Sequence, residues 1–149
     1  MKWLRSIREN HLQFDTIVGL AYHGIGFSAG TAISLYNKYG ITTQFCYDRQ
    51  IPDSRGRMIC GHTLQDGEKI ILIADVLTTG RGIDERITRL CEQARVQIEA
   101  IVVIINRSDE AESQLSEARM LEEKYGTKVY SLITHKDISM ALKNGIITL

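Results

Sequence analysis

Apolar runs and amphipathic stretches alternate along the whole chain. Five runs have the length and composition of buried strands: residues 16–19, 42–47, 69–75, 98–105 and 128–133. Between them, apolar residues recur at helical spacing. Residues 26–39 place Phe27, Ala32, Leu35, Tyr36 and Tyr39 roughly on one face. Residues 82–95 carry a clearer stripe of Ile83, Ile87, Leu90, Cys91 and Ala94, and residues 109–125 repeat it with Ala111, Leu115, Ala118, Leu121 and Tyr125. Gly126 follows the latter as an expected C-cap. Residues 135–144 predict a final helix, with Gly145 behind it, and residues 1–10 a short helix presenting Trp3, Leu4 and Ile7.

Strands separated by crossover-length helices predict an α/β fold with a doubly wound, mostly parallel sheet. If the five strands lie in the order 2-1-3-4-5, the first and third are central neighbours, and a ligand would sit beyond their carboxyl ends. The loops there are Leu20-Ala21-Tyr22-His23-Gly24-Ile25-Gly26 and the turn Thr78-Thr79-Gly80-Arg81-Gly82. Residues 49–67 break the alternation. They are polar, lack a period and hold the only proline, Pro52, so the stretch reads as a functional or mobile loop. Its apolar piece, 58–60, suits an antiparallel edge strand.

A length of 149 residues fits one domain spanning 1–149. Eighteen basic residues balance eighteen acidic ones, so no net field recruits nucleic acid or an anionic membrane. The longest apolar runs fall short of the ~20 residues that cross a bilayer, and the first residues lack the apolar centre of a secretion signal. Cys46, Cys60 and Cys91 are odd in number and widely spaced. They suit a reducing cytoplasm better than a disulfide framework or structural zinc. Cys46 and Cys91 are expected to pack as small apolar residues.

The richest stretch is 70–86. An apolar strand ends at Asp75, hydroxyls and glycines follow at Thr78, Thr79, Gly80 and Gly82, and a helix then begins. Unpaired backbone amides at a helix N-terminus, reinforced by the helix dipole, form a phosphate seat. The adjacent carboxylate suits sugar hydroxyls or a metal carried by the phosphate. The order of acid before Thr-Thr-Gly differs from that of a P-loop or a dinucleotide fingerprint. It resembles the 5-phosphoribosyl-1-pyrophosphate (PRPP) signature of the type I phosphoribosyltransferases.

Other segments narrow the resemblance to orotate phosphoribosyltransferases, over about Phe14 to Gly145. Phe14 to Ile25 is similar to that family's pyrophosphate loop, Phe45-Cys46-Tyr47-Asp48-Arg49 to the strand entering its mobile loop, Ile104-Ile105-Asn106-Arg107 to its base-contacting strand end, and Val129 to Ile138 to its last strand and helix. The resemblance implies PRPP-dependent transfer of phosphoribose to an orotate-like nucleobase, with Mg2+ as cofactor, in a homodimer. It further implies that Asp75 holds the ribose hydroxyls and Arg49 meets pyrophosphate. Tyr22, His23 and Gly24 would line the pyrophosphate, Thr78, Thr79, Gly80, Arg81 and Gly82 would cradle the 5-phosphate, and Arg107 would pair with a carboxylate on the base.

The chain also departs from the family pattern. Ala74 replaces the first of two signature acids, His23 a lysine, and Arg81 a threonine that could either assist or block the phosphate. The mobile loop keeps its arginine but not its lysines, although Arg55 and Arg57 stand nearby, and thirteen residues precede Phe14 where the family has a hood over the base. These departures motivate an alternative: a module of the same fold that binds PRPP, a nucleotide or a protein partner without turnover. A receiver-like domain is disfavoured, because Gly19-Leu20-Ala21 stands where its acidic pair would be.

Overall fold

The computed structural model describes residue 7 and residues 12–107 and 116–147. Six strands and four helices are found among them. β1 (Thr16–Gly19) leads to α1 (His23–Tyr39), β2 (Gln44–Asp48), β3 (Ile59–Gly61) and β4 (Lys69–Leu77). Then come α2 (Arg81–Gln93), β5 (Gln97–Asn106), α3 (Glu117–Tyr125), β6 (Lys128–Thr134) and α4 (His135–Lys143). The sheet order is β3-β2-β1-β4-β5-β6. All neighbours are parallel except β2 and β3, where Tyr47 opposes Cys60. The expected five-strand order is therefore present, with the antiparallel edge strand beside it.

β4 is central and alternates between two cores, because successive strand residues point to opposite faces. Ile70, Leu72 and Ala74 meet Ile83, Ile87 and Leu90 of α2 and Leu121 of α3 on one face. Ile71 and Ile73 pack with Ile17, Ala100, Val102 and Leu35 of α1 on the other, where Ile7 is also buried. Trp3 and Leu4 lie outside the described residues, as does the 109–115 part of the expected third long helix.

Three expectations need correction. α1 begins three residues early, so Tyr22 is its N-cap while His23 and Gly24 form its first turn rather than a loop. Its buried face is Gly24, Ser28, Thr31 and Leu35, whereas Phe27, Tyr36 and Tyr39 are exposed. Close approach explains this choice of small residues. A Cβ on Gly24 would lie 2.4 Å from the Ile73 carbonyl oxygen, and one on Gly19 2.2 Å from Ser28 Oγ. Cys91 is exposed on α2 rather than packed, while Cys46 is buried as expected.

The aperiodic stretch is anchored to the core by Leu64 and Ile59 and held elsewhere by polar contacts. Asp53 accepts the amides of Arg55 and Arg57 and the Arg57 guanidinium. At its far end Glu68 accepts from the Thr16 hydroxyl at 2.6 Å and faces His62 Nε2 at 2.7 Å.

Candidate functional site

β1 and β4 run side by side, so the segments leaving their carboxyl ends face one another. The Leu20 amide donates to the Ile73 carbonyl at 2.8 Å, fastening the first segment to β4. The peptide bond between Ala21 and Tyr22 is cis. The second segment turns at Gly80, whose positive φ of 69° is open to glycine, and starts α2 at Arg81. The first-turn amides of α2 have no intrahelical partners and point toward the turn.

Between the two segments lies a cavity of about 160 Å³, walled by Leu20 and Ala21 on one side and by Asp75, Thr78, Gly80 and Gly82 on the other. His23, which does not line the cavity, places Nδ1 2.8 Å from Asp75 Oδ2, with side chains 80% and 42% exposed. The second oxygen of Asp75 accepts the Val76 amide at 2.8 Å. A larger hollow of about 440 Å³ opens beside β3 near Arg57, Cys60 and His62, but it shares no lining residue with the first. Of the eleven expected residues, Asp75, Thr78, Gly80 and Gly82 line the smaller cavity.

The other expected residues divide. Tyr22, Thr79 and Arg81 are exposed and do not line the cavity, so Arg81 does not fill it. Gly24 acts beneath α1, as the contact that lets the helix approach β4. Arg107 is exposed at the end of β5, its amide bonded to the Leu77 carbonyl at 2.9 Å; Asp109 and Glu110 beyond it lie outside the described residues. The structure does not bring Arg49 to the cavity. Its Nε donates to the Ile51 carbonyl at 3.1 Å and its Nη1 to Cys60 Sγ at 3.4 Å, which ties it to its own hairpin.

That contact lowers the Cys60 pKa, the Arg49 hydrogen bond being the main cause and one to Tyr47 adding to it. Cys60 was not among the expected site residues, nor were Asp48 and Arg86. Asp48 is 6% exposed at the end of β2. Both its oxygens lie 3.0 Å from Arg86 Nη1, and Oδ1 also accepts the Ala21 amide. Burial raises the Asp48 pKa, with the Ala21 amide and Arg86 opposing the rise. Arg86 lines the cavity from α2. The pair spans 38 positions, so local spacing gave no sign of it; the one available hint was a charged residue beside the Ile83–Ile87 stripe.

No cluster of three or more potential metal-ligating side chains occurs among the described residues, and no described helix is long and apolar enough to cross a membrane.

Comparison with known proteins places this geometry in a family. The phosphoribosyl transferase domain matches residues 1–132. An orotate phosphoribosyltransferase of Clostridium botulinum is 30% identical over 145 residues, covering 95% of this chain and 65% of that protein. One of Clostridium acetobutylicum is 32% identical over 127 residues, covering 84% and 57%. The crystal structure of orotate phosphoribosyltransferase from Francisella tularensis superposes with a TM-score of 0.75 at 24% identity, covering 95% of this chain and 67% of that one, a likeness of fold. The chain thus spans just under two thirds of the length of the Clostridium botulinum relative.

Proposed function

This chain belongs to the phosphoribosyl transferase domain family, and from that premise we propose that it binds PRPP in the cavity between its two turns and transfers the phosphoribosyl group to an orotate-like base. The observation that carries the reading is the His23–Asp75 pair at 2.8 Å, because it joins the first turn of α1 to the acid that lines the cavity beside the N-terminus of α2. In the reaction a base nitrogen bonds to C1 of the ribose as the C1–pyrophosphate bond breaks. Asp75 would hold the ribose hydroxyls, the amides of the 78–82 turn a phosphate, and His23 the pyrophosphate. Arg107 would take a carboxylate of the base through its planar fork, and Arg49 would turn from Cys60 toward the leaving group.

Mg2+ fits the donor set as an ion carried mainly by substrate phosphates, with Asp75 as its protein carboxylate, and would neutralise charge on the departing pyrophosphate. The proposal extends to a homodimer. Supporting it, the outward face of α1 carries Tyr22, Ile33 and Tyr36, all exposed, and Lys38 is the sole Lys, Arg, Asp or Glu of the helix.

Ala74 removes one carboxylate contact, which costs about 1.5–3 kcal/mol, or roughly 10- to 150-fold. Turnover is therefore expected to be slow beside that of a two-acid site. The test is pyrophosphate release from PRPP with magnesium and orotate, measured against Asp75→Ala. Release that the substitution abolishes supports the proposal. PRPP binding with no release would make the chain a binding module, a reading favoured by Arg49 lying against Cys60, and no binding at all would reject both.

A further inference from the structure

Among the described residues, Arg86 is the one lysine or arginine that lines the cavity between the turns. It stands one helical turn after Gly82. Arg86 shares the lining of the cavity with Gly80 and Gly82 of the phosphate seat.

The guanidinium is fixed as well as near. Its side chain is 15% exposed, and Nη1 sits 3.0 Å from both oxygens of Asp48. The same carboxylate accepts the Ala21 amide, so one buried acid fixes both the cation and the opposite wall of the cavity. No contact among the described residues engages Nε or Nη2 of Arg86. Those donors are available to an anion, and a guanidinium fork matches phosphate oxygens. A buried ion pair is a poor way to gain stability alone, because desolvation offsets most of the attraction. Meanwhile the cations expected at the cavity lie elsewhere: Arg81 does not line it, and Arg49 bonds to Cys60.

We propose that Arg86 contacts a phosphate group of the ligand directly and that Asp48 is its positioning residue. This rests on the phosphate-binding part of the reading above and not on turnover.

Calorimetric titration of three probes tests it: PRPP with magnesium, ribose 5-phosphate and inorganic pyrophosphate. The proteins are the native chain, Arg86→Gln, Arg86→Lys, and the double variant Asp48→Asn with Arg86→Gln, which leaves no buried charge unpaired. The expected result is a roughly 10- to 150-fold loss of PRPP affinity in Arg86→Gln. One simpler probe should weaken in parallel and so identify which phosphate Arg86 meets. Arg86→Lys should recover part of the loss, and the double variant should bind as weakly as Arg86→Gln while melting close to the native protein. Native-like binding of every probe by folded Arg86→Gln or by the double variant overturns the proposal. If the native chain binds a simple phosphate but not PRPP, the transferase reading fails while the variants still decide the role of Arg86. If it binds none of the three, both fail.

Discussion

Replacing Gly24 with alanine would put a methyl group where the backbone leaves no room. The added Cβ would lie 2.4 Å from the Ile73 carbonyl oxygen and 3.5 Å from Ala74 Cα, and the first contact is about 1 Å short of ordinary van der Waals separation. Both neighbours are backbone in the central strand, so neither can swing aside. α1 must therefore lift from β4 by about the missing distance. Overpacking of this kind costs about 1–3 kcal/mol. His23 immediately precedes Gly24, so the lift also stretches its 2.8 Å contact with Asp75, and losing one charge-assisted contact lowers PRPP affinity by roughly 10- to 150-fold. Gly30→Ala is the control on the same helix. It meets no heavy atom within 4 Å and should gain about 0.5–1 kcal/mol from helix propensity. Urea unfolding and PRPP titration of both variants read the outcome. Should Gly24→Ala match Gly30→Ala in stability and keep native affinity, the claim that this glycine sets the distance between the two turns is wrong.

The remaining predictions concern the hairpin. Cys60 should react with iodoacetamide well before Cys46, whose buried thiol is pushed up to about 12 by desolvation and by Glu68 and Asp48. Arg49→Gln should slow Cys60 labelling by removing the main cause of its lowered pKa, and peptide mass spectrometry that finds no slowing would contradict the Arg49–Cys60 contact. Asp53 is held down from 3.8 to about 2, chiefly by the Arg57 amide and then by the Arg57 guanidinium and the Arg55 amide. A depressed folded value means the turn is favoured above pH 3.8 and loses that contribution as pH falls through about 2. The amide resonances of Arg55 and Arg57 should therefore titrate with a midpoint near 2, and a midpoint at the ordinary carboxylate value would show that the turn does not hold in solution.

The strands were legible because their signal is local. Apolar runs bounded by glycine and polar residues located the five parallel strands to within two residues at every end, and alternation with helices indicated a parallel sheet whose strand order the structure supplies. The edge strand was legible too, since Ile59 and Cys60 are apolar within a polar loop. α1 was misread because periodicity equates burial with hydrophobicity, whereas a helix lying against backbone at this distance must turn Gly24, Ser28 and Thr31 inward. Asp75 and its turn were visible as a run of residues, while Asp48 and Arg86 were not, since burial of a charge depends on a partner that only the fold brings near. The hydrogen bond from Arg49 to Cys60 was not legible either, because the thiol that engages the guanidinium lies eleven residues along the hairpin.

The imidazole already resting on Asp75 has a consequence for ligand choice. Among the described residues, each oxygen of that carboxylate has one contact, His23 on Oδ2 and the Val76 amide on Oδ1, and the side chain is 42% exposed. A carboxylate accepts about four hydrogen bonds, so a diol could dock on the free lone pairs while the imidazole keeps the acid ionised and aimed, and a bare anion would gain nothing there.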